Sequence, residues 1–165
     1  MKKKIFIDMD GTIAQWIPST IEEVASKGYF RNLPVVQNVL NMVSILIGNP
    51  EYEVYILSSV FKDGHSAGDK MYWLHQNLPE IADENVIFVP YGKVKADYIN
   101  TVINENCYLL DDLSKNLHEW ERAGGTGIKI YNGINGTKGT WKGFNIKYDM
   151  NVFTMYKQIC GIMAA

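Results

Sequence analysis

Asp8 and Asp10 stand one residue apart, straight after the apolar run Ile5-Phe6-Ile7, and Gly11-Thr12 follows them. At the end of an extended strand, two carboxylates at that spacing point the same way. Like charges so close repel, so the arrangement is costly unless a cation or a reacting phosphate uses it. Gly11 allows the backbone to turn sharply behind the pair. The competing reading is a strand that simply ends in an Asp-Gly turn. Further along, Ser58-Ser59, Lys95 and Asp111-Asp112 each come after an apolar run of their own. Acid, hydroxyl, amine and acid again suit a magnesium-bound phosphate. Magnesium takes hard oxygen ligands, while a hydroxyl and an ammonium can hold phosphate oxygens and neutralise developing charge.

The elements that must position these groups alternate between strand and helix patterns, which predicts an α/β protein with a mainly parallel sheet. Strands are expected at Lys4–Asp8, Glu53–Leu57, Val86–Val89, Tyr108–Leu110 and Ile128–Tyr131. Ser19-Thr20 with Glu22-Glu23 offers a capping box for a short helix to about Lys27. Pro34 is expected to open a longer helix bearing Val35, Val36, Val39, Leu40, Val43, Leu46 and Ile47. Further helices are expected at Ser66–Leu78, where Met71, Trp73 and Leu74 would pack, and at Lys95–Asn104, Ser114–Ala123 and Asn151–Met163. Asn132–Gly143, with four glycines and two Asn-Gly steps, reads as a loop. In an open parallel sheet, ligands bind beyond the carboxyl ends of the strands, so all four groups can converge on one crevice.

The bulk numbers narrow the function classes. The chain has 165 residues, 47% hydrophobic and 21% charged, with a formal net charge of −2. That predicts one domain over residues 1–165 and no general attraction to a nucleic acid polymer. No stretch is long and apolar enough for a membrane span, and the N-terminus lacks a signal-peptide pattern. Cys107 and Cys160 are far apart and fit thiols in a reducing compartment, so a cytoplasmic location is expected. Oligomeric state is not legible.

Together these residues resemble the haloacid dehalogenase (HAD) superfamily of phosphohydrolases. Ile5 to Thr12 looks like its first motif, a hydrophobic strand followed by D-x-D-G-T. Val54-Tyr55-Ile56-Leu57-Ser58 looks like its second, Lys95 its third, and Leu109-Leu110-Asp111-Asp112 its fourth. The resemblance implies a Rossmann-like three-layer fold with a small helical cap inserted at residues 15–34, and a magnesium-dependent phosphatase. It implies that Asp8 forms an aspartyl-phosphate and that Asp10 serves as general acid and base. Thr12, Ser58, Ser59 and Lys95 would hold the phosphate, and Asp8, Asp10, Asp111 and Asp112 would hold the metal. Asp112 is the expected direct ligand with Asp111 behind it, though the reverse stays open. Lys93 is a rival for Lys95.

Gly28-Tyr29-Phe30-Arg31-Asn32-Leu33-Pro34 and the double aspartate also resemble the cytosolic-type 5'(3')-deoxyribonucleotidases, which dephosphorylate nucleoside monophosphates. The stretch between Asp10 and Ser58 is shorter than in the animal enzymes, and Val60 stands where proline is expected. Trp16, Tyr29 and Phe30 could stack on a base and Arg31 could meet a phosphate. Alternatively, the aromatics pack the cap on the core and Arg31 pairs with a neighbouring acid. A nucleotide is therefore the expected partner. A sugar phosphate or another small phosphomonoester is the second reading, and a non-catalytic nucleotide-binding module the third. Trp120 is expected in the core, and Trp141 to anchor its loop to the sheet. His65 and His75 lack the company of a metal site.

Overall fold

The computed structural model describes residues 2–62, 64–135 and 140–165. Six strands form one sheet in the order β3-β2-β1-β4-β5-β6: β1 (Lys3–Ile7), β2 (Tyr52–Val60), β3 (Val86–Pro90), β4 (Cys107–Asp111), β5 (Thr126–Tyr131) and β6 (Phe144–Lys147). Every ladder is parallel. β1 is central, with Ile7 paired to Ile56 on one side and to Leu110 on the other.

The strands are apolar on both faces, as a sheet covered on both sides requires. Ile5, Ile7, Ile56, Leu110 and Ile128 face α2 (Gln37–Gly48) and α5 (Val152–Ala164) through residues such as Val43, Leu46, Met155 and Ile159. Trp73 and Leu74 of α3 (Ser66–Asn77) join that layer. Phe6, Leu57, Leu109 and Val89 face the other way, against Leu117 and Trp120 of α4 (Ser114–Arg122) and against Trp141. The result is the expected three-layer α/β architecture. Trp120 is buried, and Trp141 donates from Nε1 to the Phe144 carbonyl at 2.9 Å, tying its loop to β6.

Four local expectations need correcting. The capping box on Thr20 is present, with Glu23 bonded reciprocally, but α1 covers only Ile21–Val24. Pro34 does not open a helix: Val35 bridges Ala14, the Val36 amide donates to the Ile13 carbonyl, and α2 starts at Gln37. The first turn was claimed by the loop after β1. Lys95–Asn104 is not a helix beyond a 3₁₀ turn at Lys95–Tyr98. Ile99, Thr101, Val102 and Ile103 are β-branched and disfavour the helix, and Ile99 and Ile103 pack on the sheet instead. The loop expected at Asn132–Gly143 is followed by β6, which the sequence reading lacked; residues 136–139 of that loop lie outside the described residues. Among the described residues, no helix is long and apolar enough to cross a membrane.

Within residues 15–34, α1 is followed by a 3₁₀ turn at Phe30–Asn32 that packs beside α3. Three residues of α3 fasten it. The Gly28 amide donates to Asp69 at 2.6 Å, Trp73 Nε1 donates to the Leu33 carbonyl at 2.7 Å, and the Lys70 ammonium lies 4.3 Å from the centre of the Phe30 ring.

Candidate active site

The carboxyl ends of β1, β2 and β4 deliver the expected groups to one place. The Asp8 amide donates to the Leu110 carbonyl at 2.8 Å, so the chain leaves β1 beside β4. It then coils tightly. The amides of Thr12, Ile13 and Ala14 all donate to the Met9 carbonyl, and Met9, Ile13 and Ala14 are fully buried beneath the turn. Gly11 has φ +82°, and a Cβ there would collide with the Asp112 carboxylate. Only glycine suits both demands.

Lys95 sits between two acids. Its Nζ donates to Asp8 at 2.5 Å and to Asp111 at 2.7 Å, and all three side chains are buried. Lys93 is exposed, so the buried role belongs to Lys95. Asp111 is held further by the Asn116 side chain and the Leu113 amide, each at 2.8 Å, which leaves both its oxygens engaged. Asp112 differs. Asn132 and Asn135 both donate to its Oδ2, and Asn132 also donates to the Gly11 carbonyl at 2.8 Å. Its Oδ1 is buried and has no hydrogen-bond partner among the described residues. Behind it, Lys129 of β5 donates to the Asp112 carbonyl and to Ser114 Oγ.

Asp10 and Ser58 meet a cation that the sequence reading missed. Lys70 of α3 is fully buried and donates to Asp10 Oδ2, to Ser58 Oγ at 2.9 Å and to the Ser59 carbonyl at 2.6 Å. A signal was available. Ser66, Asp69, Lys70, Trp73 and Leu74 form the buried stripe of α3 at i, i+3, i+4, i+7 and i+8 spacing. Two charges inside an otherwise packing stripe demand partners elsewhere in the fold.

The electrostatics follow from burial. Desolvation pushes the Asp8 carboxyl well above the usual carboxylate range; Lys95 pulls it back, while Asp111, Asp10 and Asp112 push it further up. Asp112 is pushed up to about 7, by burial first and then by Asp111, against the pull of Asn135, Asn132 and Lys95. Burial alone would lower Lys95; Asp111 and Asp8 outweigh it and hold the ammonium charged.

These residues fit a hard divalent cation and a phosphate. Ligand oxygens of Asp8, Asp111 and Asp112 lie within 4.8 Å of one another. Buried oxygens are normally satisfied, yet Asp10 Oδ1, Asp112 Oδ1 and Thr12 Oγ1 are buried and unpartnered among the described residues. Magnesium takes carboxylate oxygens, and a phosphate accepts from hydroxyls.

A pH dependence follows. Asp112 ordinarily titrates near 3.8 and is raised to about 7 when folded, so its contribution to stability is full below the lower value and lost as pH rises through the upper one. Asp8 acts with the same sign. The metal-free protein should therefore lose the Asp112 contribution progressively between about pH 4 and pH 7, so it is less stable at pH 8 than at pH 6, and magnesium should raise the melting temperature more at pH 8, where it displaces no proton. Thermal melts with and without magnesium at both values check this. A larger magnesium effect at pH 6 would contradict it.

Asp8 and Asp10 line a cavity of about 380 Å³ together with Trp16, Phe30, Ser59 and Lys95. Phe61 and Tyr91, not singled out from sequence, add two rings 4.6 Å apart. Arg31 is elsewhere: its Nε lies 3.4 Å from Asp69 and its guanidinium covers the Tyr72 ring. Tyr29 donates its hydroxyl to the Ile17 carbonyl at 2.6 Å and packs between Trp16 and Phe30. His75 pairs with Asp83 on the surface.

The fold is that of HAD-like α/β proteins. Solved structures that share this fold include D,D-heptose 1,7-bisphosphate phosphatase from B. bronchiseptica complexed with magnesium and phosphate, at TM-score 0.66 and 15% identity over 96% of this chain and 98% of that one. The corresponding enzyme from Burkholderia thailandensis matches at TM-score 0.66 and 12% identity, over 96% and 99% of the two chains. A putative HAD-hydrolase from Bacillus subtilis bound to magnesium matches at 0.63 and 10% over 99% of each. No protein-family model and no curated protein matches the chain.

Proposed function

We propose that this protein is a magnesium-dependent phosphomonoester hydrolase that acts through an aspartyl-phosphate on Asp8, with (deoxy)nucleoside 5'-monophosphates as substrates. The observation that carries this reading is the trio of buried, unpartnered oxygens on Asp10, Thr12 and Asp112 around the Lys95-paired Asp8. Asp8, the Asp10 backbone and Asp112 would hold the magnesium, with Asp111 behind, since both oxygens of Asp111 are engaged. When bound, the metal supplies positive charge to the transferring phosphoryl group.

The chain's own residues do the rest. The Asp8 carboxylate attacks phosphorus, and the bond to the leaving oxygen breaks as Asp10 gives that oxygen its proton. Asp10 then takes a proton from water, which attacks phosphorus and releases phosphate from Asp8. Thr12 and Ser58 hydroxyls donate to phosphate oxygens, and Lys95 balances the charge of Asp8. The aromatic lining of Trp16, Phe30, Phe61 and Tyr91 suits a planar base on the leaving group. It supports nucleotides over sugar phosphates.

The test is phosphate release with magnesium from a panel of nucleoside monophosphates, sugar phosphates and small phosphomonoesters. Nucleoside 5'-monophosphates should give the highest kcat/KM. Stronger turnover of a sugar phosphate would keep the chemistry and replace the substrate. Nucleotide binding without any turnover would replace catalysis with a binding role.

A further inference from the structure

Lys70 takes no part in the steps above, yet it is fully buried against the residue that moves the proton. A buried ammonium is tolerated only when its donors are used. Lys70 uses all three: Asp10 Oδ2, Ser58 Oγ and the Ser59 carbonyl. Its fourth neighbour is the face of Phe30, 4.3 Å away, which closes the space on the cap side.

This geometry has two consequences. One oxygen of Asp10 is pinned, so the carboxylate cannot rotate freely. The other, Oδ1, is buried and unpartnered among the described residues. It is therefore the oxygen that can carry a proton to a leaving group. Ser58 Oγ accepts from Lys70, so its own hydroxyl proton is free for a phosphate oxygen. The placement of Lys70 is itself secured by its helix, because Asp69 and Trp73 on either side are bonded to Gly28 and Leu33.

We propose that Lys70 is a positioning residue that fixes the Asp10 carboxylate for proton delivery to the leaving oxygen. The proposal rests on the reading above, in which Asp10 is the general acid. Its signature is dependence on the leaving group. A phenol with a nitro substituent departs with little need of a proton, whereas unsubstituted phenol needs one. Loss of Lys70 should therefore hurt the second far more than the first.

The experiment compares kcat and KM of the wild-type protein and Lys70→Met with magnesium on p-nitrophenyl phosphate and phenyl phosphate, two substrates of nearly the same shape. The expected result is a kcat loss on phenyl phosphate roughly tenfold or more greater than on p-nitrophenyl phosphate, a share of the 10²–10⁴ that a general acid supplies. Lys70→Gln, which retains two donors, serves if the Met variant does not fold, and should show the same split in smaller measure. Equal losses on both substrates in a folded variant would overturn the positioning role while leaving the phosphatase reading intact. A wild-type protein that hydrolyses neither these esters nor any nucleoside monophosphate would overturn both.

Discussion

Replacing Asp8 by Asn should remove the proposed phosphatase turnover while the protein stays folded. The amide keeps the shape of the carboxylate but has no anionic oxygen to attack phosphorus. Loss of a nucleophile costs roughly 10⁴-fold or more in kcat. Stability should move the other way. Asp8 is buried beside Asp111, Asp10 and Asp112, and its carboxyl is held well above the usual range by desolvation and by those neighbours. Neutralising it relieves repulsion that, among the described residues, Lys95 alone offsets, so the metal-free melting temperature of the variant should equal or exceed that of the wild type. Phosphate release and thermal melting measured on the same preparations check both halves. Turnover near the wild-type level would remove Asp8 from the role of nucleophile. Lost turnover in an unfolded variant would show only that the site is structurally fragile.

Replacing Lys95 by Met carries the largest expected cost in stability. Its ammonium lies 2.5 Å from Asp8 and 2.7 Å from Asp111, and no other cation among the described residues forms an ion pair with either acid. Removing one partner of a buried pair costs about 3–5 kcal/mol, because the remaining charge is left without compensation. The pH response should change as well. The raised Lys95 contributes stability that persists up to its ordinary titration range, near 10.5, and is lost only above it, so the wild type gains no slope from this group at neutral pH. In the variant, the acids can escape only by taking up protons, and its melting temperature should rise as pH falls from 8 to 6 more steeply than that of the wild type. Adding Asp111→Asn to Lys95→Met should recover part of the stability and none of the turnover. A variant as stable as the wild type at pH 8 would show that the bridge is not needed for folding.

The fold was legible where apolar periodicity ran unopposed. Ile5-Phe6-Ile7 and Leu109-Leu110 are buried on both faces, and such runs ending in acids mark central parallel strands. Elements failed where a tertiary partner outbid a local preference. Val36 gave its amide to Ile13 instead of entering a helix, and Ile99 and Ile103 turned to the sheet. β6 was hidden because only Ile146 of its four residues is buried, so no alternation stood out beside the glycines. The site showed the same division. Asp8, Asp10, Ser58, Lys95 and the acidic pair are strand-end residues, and their order along the chain is the order of their strands. Lys70, Asn132 and Asn135 come from a helix face and a loop. Their relation to the acids depends on how those segments fold back, which spacing does not encode.

The central position of β1 has a consequence for how the molecule comes to exist. Asp8 needs Lys95, 87 residues later, and the carbonyl of Leu110. All six strands are parallel, so none of their pairings is made by a tight hairpin. Such non-local pairings close slowly, because loop-closure entropy is lost before the contacts return it. During synthesis from the N-terminus, β1 can pair with β2 early, but its other edge stays open until Cys107–Asp111 has emerged. Of the six strands, the one that carries Asp8 comes first in the chain, yet its second edge is closed only by the fourth. Until β4 emerges it presents an apolar, unpaired edge, the state in which a chain of this topology is most exposed to aggregation.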